Sequence, residues 1–163
     1  MEATKELSEY LFERDRQEFS LGDTLDIKTG LLLASLTFLA IQSGDLIGKH
    51  LPPTQLYLQY GSIAFTVLGG ILCAIVLWPR TYMTEAMPDE YEAWIDSLEE
   101  YRKLNPGEDA GITLSQARFS MAKQRIQTNA AINEGKSAFM FRAFYCVMAA
   151  FIANVATLAI HLF

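Results

Sequence analysis

Residues 56–78 read LYLQYGSIAFTVLGGILCAIVLW, a run of 23 residues that contains no acidic or basic side chain. A helix needs about 20 apolar residues to cross the hydrocarbon core of a bilayer. The run ends at Trp78, and Pro79 and Arg80 follow it. Tryptophan favours the membrane interface, proline stops a helix and arginine stays in water. The stretch therefore predicts a membrane-spanning helix over residues 56–78.

Two more apolar runs lie on either side of this one. Residues 143–163 carry no Asp, Glu, Lys or Arg, and the 20 residues between Lys28 and Lys49 carry only Asp45. Over the whole chain, 51% of the residues are hydrophobic and 20% are charged, with a net charge of −6 and a mean hydropathy of +0.15. Such segregated composition excludes a soluble globular domain, a disordered chain and a nucleic-acid-binding protein.

The remaining sequence is helical and amphipathic. Residues 4–18 place apolar and acidic side chains on different faces of a helix, and Gly22-Asp23 is expected to break that helix before the first span. Residues 88–104 form a second helical pattern. A third pattern begins near Thr113 and either continues into the last span as one helix or breaks at Gly135.

Orientation follows from the 13 Lys and Arg residues, because such residues concentrate in cytoplasmic loops. Four lie before or at the start of the first span, one lies between the first two spans, eight lie from Arg80 to Arg142, and none follows the third span. We therefore place the N-terminus in the cytoplasm and the C-terminus outside. The prediction is an all-α membrane protein with a cytoplasmic amphipathic N-terminal helix (1–25), transmembrane helix 1 (26–48), an outer hairpin (49–55), transmembrane helix 2 (56–78), a cytoplasmic helical hairpin (79–138) and transmembrane helix 3 (139–163).

Side chains of the kind that enzymes use are few. The two histidines, His50 and His161, are predicted at the outer face, and no Gly-rich phosphate loop or metal-binding motif accompanies them. Cys73 and Cys146 both lie within apolar runs, so no disulfide framework is implied. We expect no catalytic residue, no metal and no cofactor, and therefore no enzyme.

Polar side chains within the predicted spans form the first set of candidate residues. Asp26 and Lys28 lie at the inner entrance of the first span, and they are about 200° apart around a helix, so each must find another partner. One interpretation is interfacial snorkelling for these two residues and interhelical hydrogen bonding for Asn154. The other is that Gln42, Asp45 and Asn154 line a polar path once several chains assemble.

Small side chains on the second span favour assembly. Ser62, Thr66 and Gly70 recur every four residues, and Gly61 and Gly69 form a second row. Small residues at this spacing let helices approach closely in a bilayer, either within one chain or between copies. We expect a homo-oligomer in a lipid bilayer.

The segment between the second and third spans divides by charge. Among the charged residues, those within 85–109 are mostly acidic and those within 112–142 are mostly basic. The two halves are therefore expected to pair as a helical hairpin. Alternatively, Arg118, Arg125 and Lys136 are 7 and 11 residues apart, which places them on one stripe of a helix. A basic stripe of this kind could bind a phosphate-containing ligand.

Three features occur together along the chain. A short helical stretch precedes Leu25-Asp26-Ile27-Lys28-Thr29-Gly30-Leu31-Leu32, Pro79 ends the second span, and Asn129-Ala130-Ala131-Ile132-Asn133-Glu134-Gly135-Lys136 precedes the last span. Their combination resembles the small membrane effectors of nucleotide-signalled bacterial anti-phage systems, namely the Pycsar transmembrane effectors and the SLATT-type domains. The first feature is similar to the D-x-K-small entrance of their first span, and the last is similar to their polar helix with an Asn and a Lys.

This resemblance implies an effector in the bacterial inner membrane that stays inactive until an infection-triggered cyclic nucleotide is present. The effector would then oligomerise or rearrange and permeabilise the membrane, after binding the nucleotide itself or through a signalling partner protein. The expected function is a membrane-disrupting or pore-forming effector of abortive infection. The alternatives are a non-conducting scaffold or accessory subunit of a larger membrane complex, and a constitutive small channel or transporter.

Overall fold

Three long helices account for most of the structure. The computed structural model describes residues 2–47, 51–84, 96–97, 99–100, 103–104 and 110–162, with side-chain surroundings for 9–47, 51–84, 118–160 and the three short pieces. The helices are α1 (Glu2–Ile47), α2 (Pro53–Leu77) and α3 (Ala110–Leu162). Each is long and apolar enough to cross a membrane, and the described residues contain no strand. The predicted all-α fold with three spans, that of a multi-pass membrane protein, is confirmed at this level.

Helix α1 continues without interruption through Gly22-Asp23, so the predicted break at these residues is wrong. A glycine within a helix costs only about 1 kcal/mol relative to alanine. Gly22 lies on the buried side of α1, where the missing side chain permits close packing. One helix therefore contains most of the predicted N-terminal segment 1–25 and nearly all of the predicted span 26–48.

Helix α3 also runs unbroken through Gly135, so the continuous helix is the correct one of the two possibilities that the sequence leaves open. No proline occurs between Ala110 and Leu162, and an established helix extends over a single glycine at modest cost. The predicted third span is therefore the C-terminal part of a longer helix.

Helix α2 begins at Pro53, three residues before the predicted second span. Pro52 occupies the N-cap position and Pro53 follows it in the first turn, where the missing proline N–H has no partner to lose. Tyr57 near the start of α2 and Trp78 just after its end are both exposed. Aromatic side chains at both ends are typical of a helix that reaches the two interfaces of a bilayer.

Some predicted features lie outside the described residues. These are most of the helix predicted over 88–104, the connection 105–109, residues 48–50 with His50 in the predicted hairpin, and the side-chain surroundings of His161.

Tertiary contacts divide the chain into two compact units. The span unit comprises Leu21–Arg80 and Asn133–Phe163. The amphipathic unit comprises Met1–Ser20 and Thr81–Ile132. Helices α1 and α3 contribute residues to both units.

The span unit packs its three helices along one buried stripe on each helix. On α2 the buried positions alternate in steps of four and three residues, at Gln55, Gln59, Ser62, Thr66, Gly69, Cys73 and Val76. The same register holds for Leu25, Thr29, Leu36, Leu39, Ser43 and Leu46 on α1, and for Lys136, Ala143, Cys146, Ala150 and Thr157 on α3. A repeat of 3.5 residues is typical of helices that cross at small angles in a left-handed bundle. Large apolar side chains cover the exposed surface, as contact with lipid requires.

Candidate functional site: a polar layer within the span unit

A layer of polar side chains is buried between the three helices of the span unit. Ser43 of α1, Ser62 of α2 and Asn154 of α3, together called the polar layer, are at most 2% exposed. The Ser43 hydroxyl donates to Asn154 Oδ1 at 3.0 Å, and Asn154 Nδ2 donates to Ser62 Oγ at 3.1 Å. The Ser62 hydroxyl donates to the Ala150 carbonyl at 3.2 Å. One hydrogen-bond network therefore connects all three helices.

The two serine hydroxyls of the polar layer have two protons but three close contacts in which a hydroxyl could be the donor. Ser43 Oγ and Ser62 Oγ lie 3.0 Å apart, and either atom could be the donor. Each hydroxyl has one proton, and the bonds from Ser43 to Asn154 and from Ser62 to Ala150 use both protons. At any one time, therefore, only two of these three contacts (Ser43 to Asn154, Ser62 to Ala150, and Ser43 to Ser62) can be hydrogen bonds donated by a serine. The layer therefore has alternative hydrogen-bond arrangements on a single set of side-chain positions.

Gln59 lies one helical turn before Ser62 on the same face of α2 and is fully buried. Among the described residues, neither its Oε1 nor its Nε2 has a hydrogen-bond partner. Gln55, one turn before Gln59, is also buried, and its Oε1 has no partner within the described part of the chain. An unpaired buried polar group costs about 1–3 kcal/mol. This face of α2 thus holds polar groups that no described residue satisfies.

The structure separates the three residues that the sequence assigns to a polar path. Asn154 belongs to the polar layer, where it bonds to both other helices, as the interhelical interpretation predicted. Gln42 is partly buried beside Ser43 in the chain. Asp45 is exposed on the surface of the span unit and takes no part in the polar layer.

A second polar contact joins α1 and α3 near the first residues of the predicted first and third spans. Lys136 Nζ lies 2.8 Å and 2.9 Å from the two carboxylate oxygens of Asp26. The lysine side chain is 3% exposed, and that of Asp26 is 42% exposed. Asp26 therefore has a partner other than Lys28, as the spacing predicted, while Lys28 is exposed. The interpretation of Asp26 as a residue that snorkels to the interface is wrong, because its carboxylate pairs with a buried side chain of α3. The ion pair connects residues 25–32 with residues 129–136, which are two of the three features on which the family resemblance rests.

The other two residues of the predicted basic stripe lie in the amphipathic unit. Arg118 is exposed. Arg125 is buried, and its Nη2 lies 3.1 Å from Oδ2 of Asp15, which is also mostly buried. In the part of the chain that the structure describes, Asp15 Oδ1 and Arg125 Nε have no partner. A phosphate that bound Arg125 would therefore compete with a carboxylate.

Asn129, a fully buried residue of the amphipathic unit, holds the backbone of the segment that follows α2. Its Oδ1 accepts a hydrogen bond from the Met83 amide at 3.0 Å, and its Nδ2 donates to the Met83 carbonyl at 3.1 Å. The rings of Phe19 and Tyr82 lie 5.9 Å apart in the same unit. One amide side chain thus satisfies both backbone groups of one residue and attaches residues 81–84 to α3.

Replacing Asn129 by alanine is expected to detach this segment. The two bonds to Met83 are lost, and the local stability should fall by about 1–3 kcal/mol. Hydrogen exchange of the Met83 amide measures this change, and we expect exchange to accelerate about tenfold or more. Gln124→Ala removes an exposed amide from the same helix and is the matched control. Equal protection of Met83 in both variants would contradict the role assigned to Asn129.

Sequence reasoning does not assign Ser43 or Gln59 to the polar path, although Gln59 is one of the polar residues of the predicted spans, and it identifies Ser62 only as a small residue. The signal that finds them is the heptad spacing. Gln59 lies seven residues before Thr66, and Ser62 lies seven before Gly69, so both follow the buried stripe of α2. A constant spacing of four residues leaves the buried stripe of α2, since it leads from Ser62 and Thr66 to Gly70, whereas the buried residue is Gly69.

Within the described ranges, no group of three or more His, Cys, Asp or Glu side chains is placed to hold a metal ion. Comparison with protein-family models, with curated proteins and with solved structures finds no match to this chain.

Proposed function

We propose that the protein is a membrane-permeabilising effector, in which several copies open a polar path across the inner membrane of a bacterium. The polar layer is the observation that carries this proposal, together with Gln59, whose amide has no hydrogen-bond partner among the residues that the structure describes. Polar groups inside a membrane are expensive and usually face a helix interface or water. Water in an opened bundle would satisfy the amide of Gln59 and supply the proton that the serine contacts lack.

The assembly of several copies follows from the size of the bundle. Three helices that pack by heptad stripes fill their interior with side chains, so a path for water or ions needs stripes from more than one copy. Gly61 and Gly70 support contact between copies, because a Cβ built on either would meet nothing within 4 Å. Small residues with open space beside them allow a helix of another copy to approach closely.

The trigger in this proposal is an infection-induced cyclic nucleotide that acts on cytoplasmic residues, directly or through a signalling partner protein. The distribution of Lys and Arg supports a cytoplasmic N-terminus and a cytoplasmic segment between the second and third spans. Arg118 and Arg125 carry the charge that a phosphate would need. Because Arg125 binds Asp15, a nucleotide phosphate would replace that carboxylate as its partner.

Flux from liposomes tests the proposed function. The purified full chain is reconstituted around a pH-sensitive dye, and proton flux is followed with each of a panel of cyclic mono- and dinucleotides. We expect Asn154→Leu to lower nucleotide-dependent flux about tenfold or more, because it removes an interior polar group that a hydrated path needs. Asp45→Leu is the matched control, since Asp45 lies outside the polar layer.

The two variants separate the possible paths. Flux that is lost in Asp45→Leu and kept in Asn154→Leu would assign the path to the exposed face of α1 instead of the buried stripe. Unchanged flux in both variants would contradict a path through either residue.

One observation favours a second candidate function, a non-conducting scaffold or accessory subunit. Asn154 uses both amide atoms to bond Ser43 and Ser62, so the polar layer also holds three helices together without water. A scaffold predicts that wild-type protein conducts nothing with any nucleotide, that Asn154→Leu changes stability alone, and that a partner protein co-purifies.

A further inference from the structure

An apolar barrier lies between two buried polar regions of the span unit. Thr29 and Lys136, at one end of the buried stripes, are at most 3% exposed, and the polar layer lies further along the same stripes. Between them the buried core is apolar except for Thr66, whose hydroxyl donates to the Ser62 carbonyl of its own helix. Leu36, Cys73 and Ala143 form a cluster with one residue from each helix. The partly buried side chains that pack against this cluster are Leu32, Leu72 and Val147.

Leu36 lies close to Gly69 of α2 in this barrier. A Cβ built on Gly69 would lie 3.0 Å from Leu36 Cδ2 and 3.1 Å from Cys146 Cβ, so a methyl group at this position would require its neighbours to shift by a few tenths of an ångström. From Thr29 to Ser43, α1 advances about 20 Å at 1.5 Å per residue. Apolar constrictions of this kind exclude water and ions by dewetting.

We infer that this apolar layer, with Leu36 at its centre, is a hydrophobic gate that keeps the polar path closed. The inference rests on the proposed function, because a gate needs a path to close. Hydration of the layer is unfavourable in proportion to the apolar area that meets water. A polar side chain at position 36 reverses this preference, since a buried unpaired amide is costly and a hydrated amide is not.

Leu36→Asn tests the gate in the full chain reconstituted in liposomes. We expect proton flux in the absence of any nucleotide to rise about tenfold over wild type, because the substitution shifts the equilibrium toward the hydrated state. Leu36→Met keeps the site apolar and should stay closed. Leu33→Asn places the same amide on the lipid-facing side of α1, where the side chain is 39% exposed, and should also stay closed.

A reversible crosslink distinguishes an opened bundle from a damaged membrane. Ser43 Oγ and Ser62 Oγ are 3.0 Å apart, so Ser43→Cys with Ser62→Cys brings two thiols within reach of a disulfide between α1 and α2. In the Leu36→Asn background, oxidation of this triple variant with copper phenanthroline should lower its flux to that of wild type without a nucleotide, and a reducing agent should raise the flux again. The comparison is made within the one variant, so the effect of the two serine substitutions on the polar layer is the same in both states. Peptide mass spectrometry identifies the bond and shows that Cys73 and Cys146 are not part of it.

The outcomes separate failure of the gate from failure of the proposed function. If wild type conducts with a nucleotide while Leu36→Asn leaks no more than wild type without one, the gate is wrong and the function stands. A leak that survives the crosslink, appears equally in Leu33→Asn or releases encapsulated dextran is non-specific and also overturns the gate. Absence of flux from wild type with every nucleotide and from Leu36→Asn overturns both.

Discussion

Replacing Asp26 by alanine is expected to lower the free energy of unfolding by about 3 kcal/mol, because it removes the carboxylate that faces the buried ammonium of Lys136. Both carboxylate oxygens of Asp26 lie within 2.9 Å of Lys136 Nζ. The ammonium is almost fully buried, whereas the carboxylate is partly exposed. Water can therefore reach the acid but not the base, which places the expected loss at the lower end of the range for buried pairs.

The stability of Asp26→Ala is measured by denaturant titration in mixed micelles, with helical circular dichroism as the signal. Asp45→Ala is the matched control, because it removes an exposed carboxylate from the same helix and should change stability by less than about 0.5 kcal/mol. Asp26→Leu combined with Lys136→Met removes both charges and should recover most of the loss. Equal effects of Asp26→Ala and Asp45→Ala would mean that the ion pair adds nothing to the stability of the bundle.

The ion pair also shows what the sequence could and could not predict. Helical spacing alone shows that Asp26 and Lys28 face different directions, so the need for another partner was predictable. The identity of that partner was not, because Lys136 is 110 positions away and approaches only when α1 and α3 pack. For this reason the sequence alone led us to assign Lys136 to a phosphate-binding stripe with Arg118 and Arg125.

The spans were the most predictable part of the fold, since apolar length decides them. Residues 56–78, free of charged side chains, correspond to α2 with a difference of only a few residues at each end. The predicted break at Gly22-Asp23 was wrong, because local helix propensity is a weak signal that packing overrides. The buried position of Gly22 within α1 is a tertiary property that a single sequence does not display.

The candidate site was predictable only in part. Asn154 was identifiable as a polar group in the middle of an apolar run. Ser43 and Ser62 are common residues in membrane helices, and their importance arises from their meeting with Asn154 across three helices. Asp45 was selected as a candidate because of its charge, but it lies on the exposed side of α1, outside the buried stripe.

Replacing Gly69 by valine is expected to lower the free energy of unfolding by about 3 kcal/mol, at the upper end of the usual effect of overpacking. A Cβ at this position would lie 3.0 Å and 3.1 Å from the two Leu36 methyl carbons and 3.1 Å from Cys146 Cβ. The Leu36 methyl groups end a flexible side chain and can shift. Cys146 Cβ is fixed to the backbone of α3, so α2 and α3 must move apart.

Gly70→Val is the matched control for this prediction, because it makes the same change at the next residue of the same helix. A Cβ at Gly70 would meet nothing within 4 Å in the same chain, so in micelles that hold a single copy we expect the stability of Gly70→Val to stay within about 0.5 kcal/mol of wild type. The same micelle titration measures both variants. A large loss for Gly69→Val alone assigns the effect to the contact with Cys146 and Leu36. Equal losses would assign it to valine in a helix at either position, and the close packing of α2 on α3 at Gly69 would then not limit the stability of the bundle.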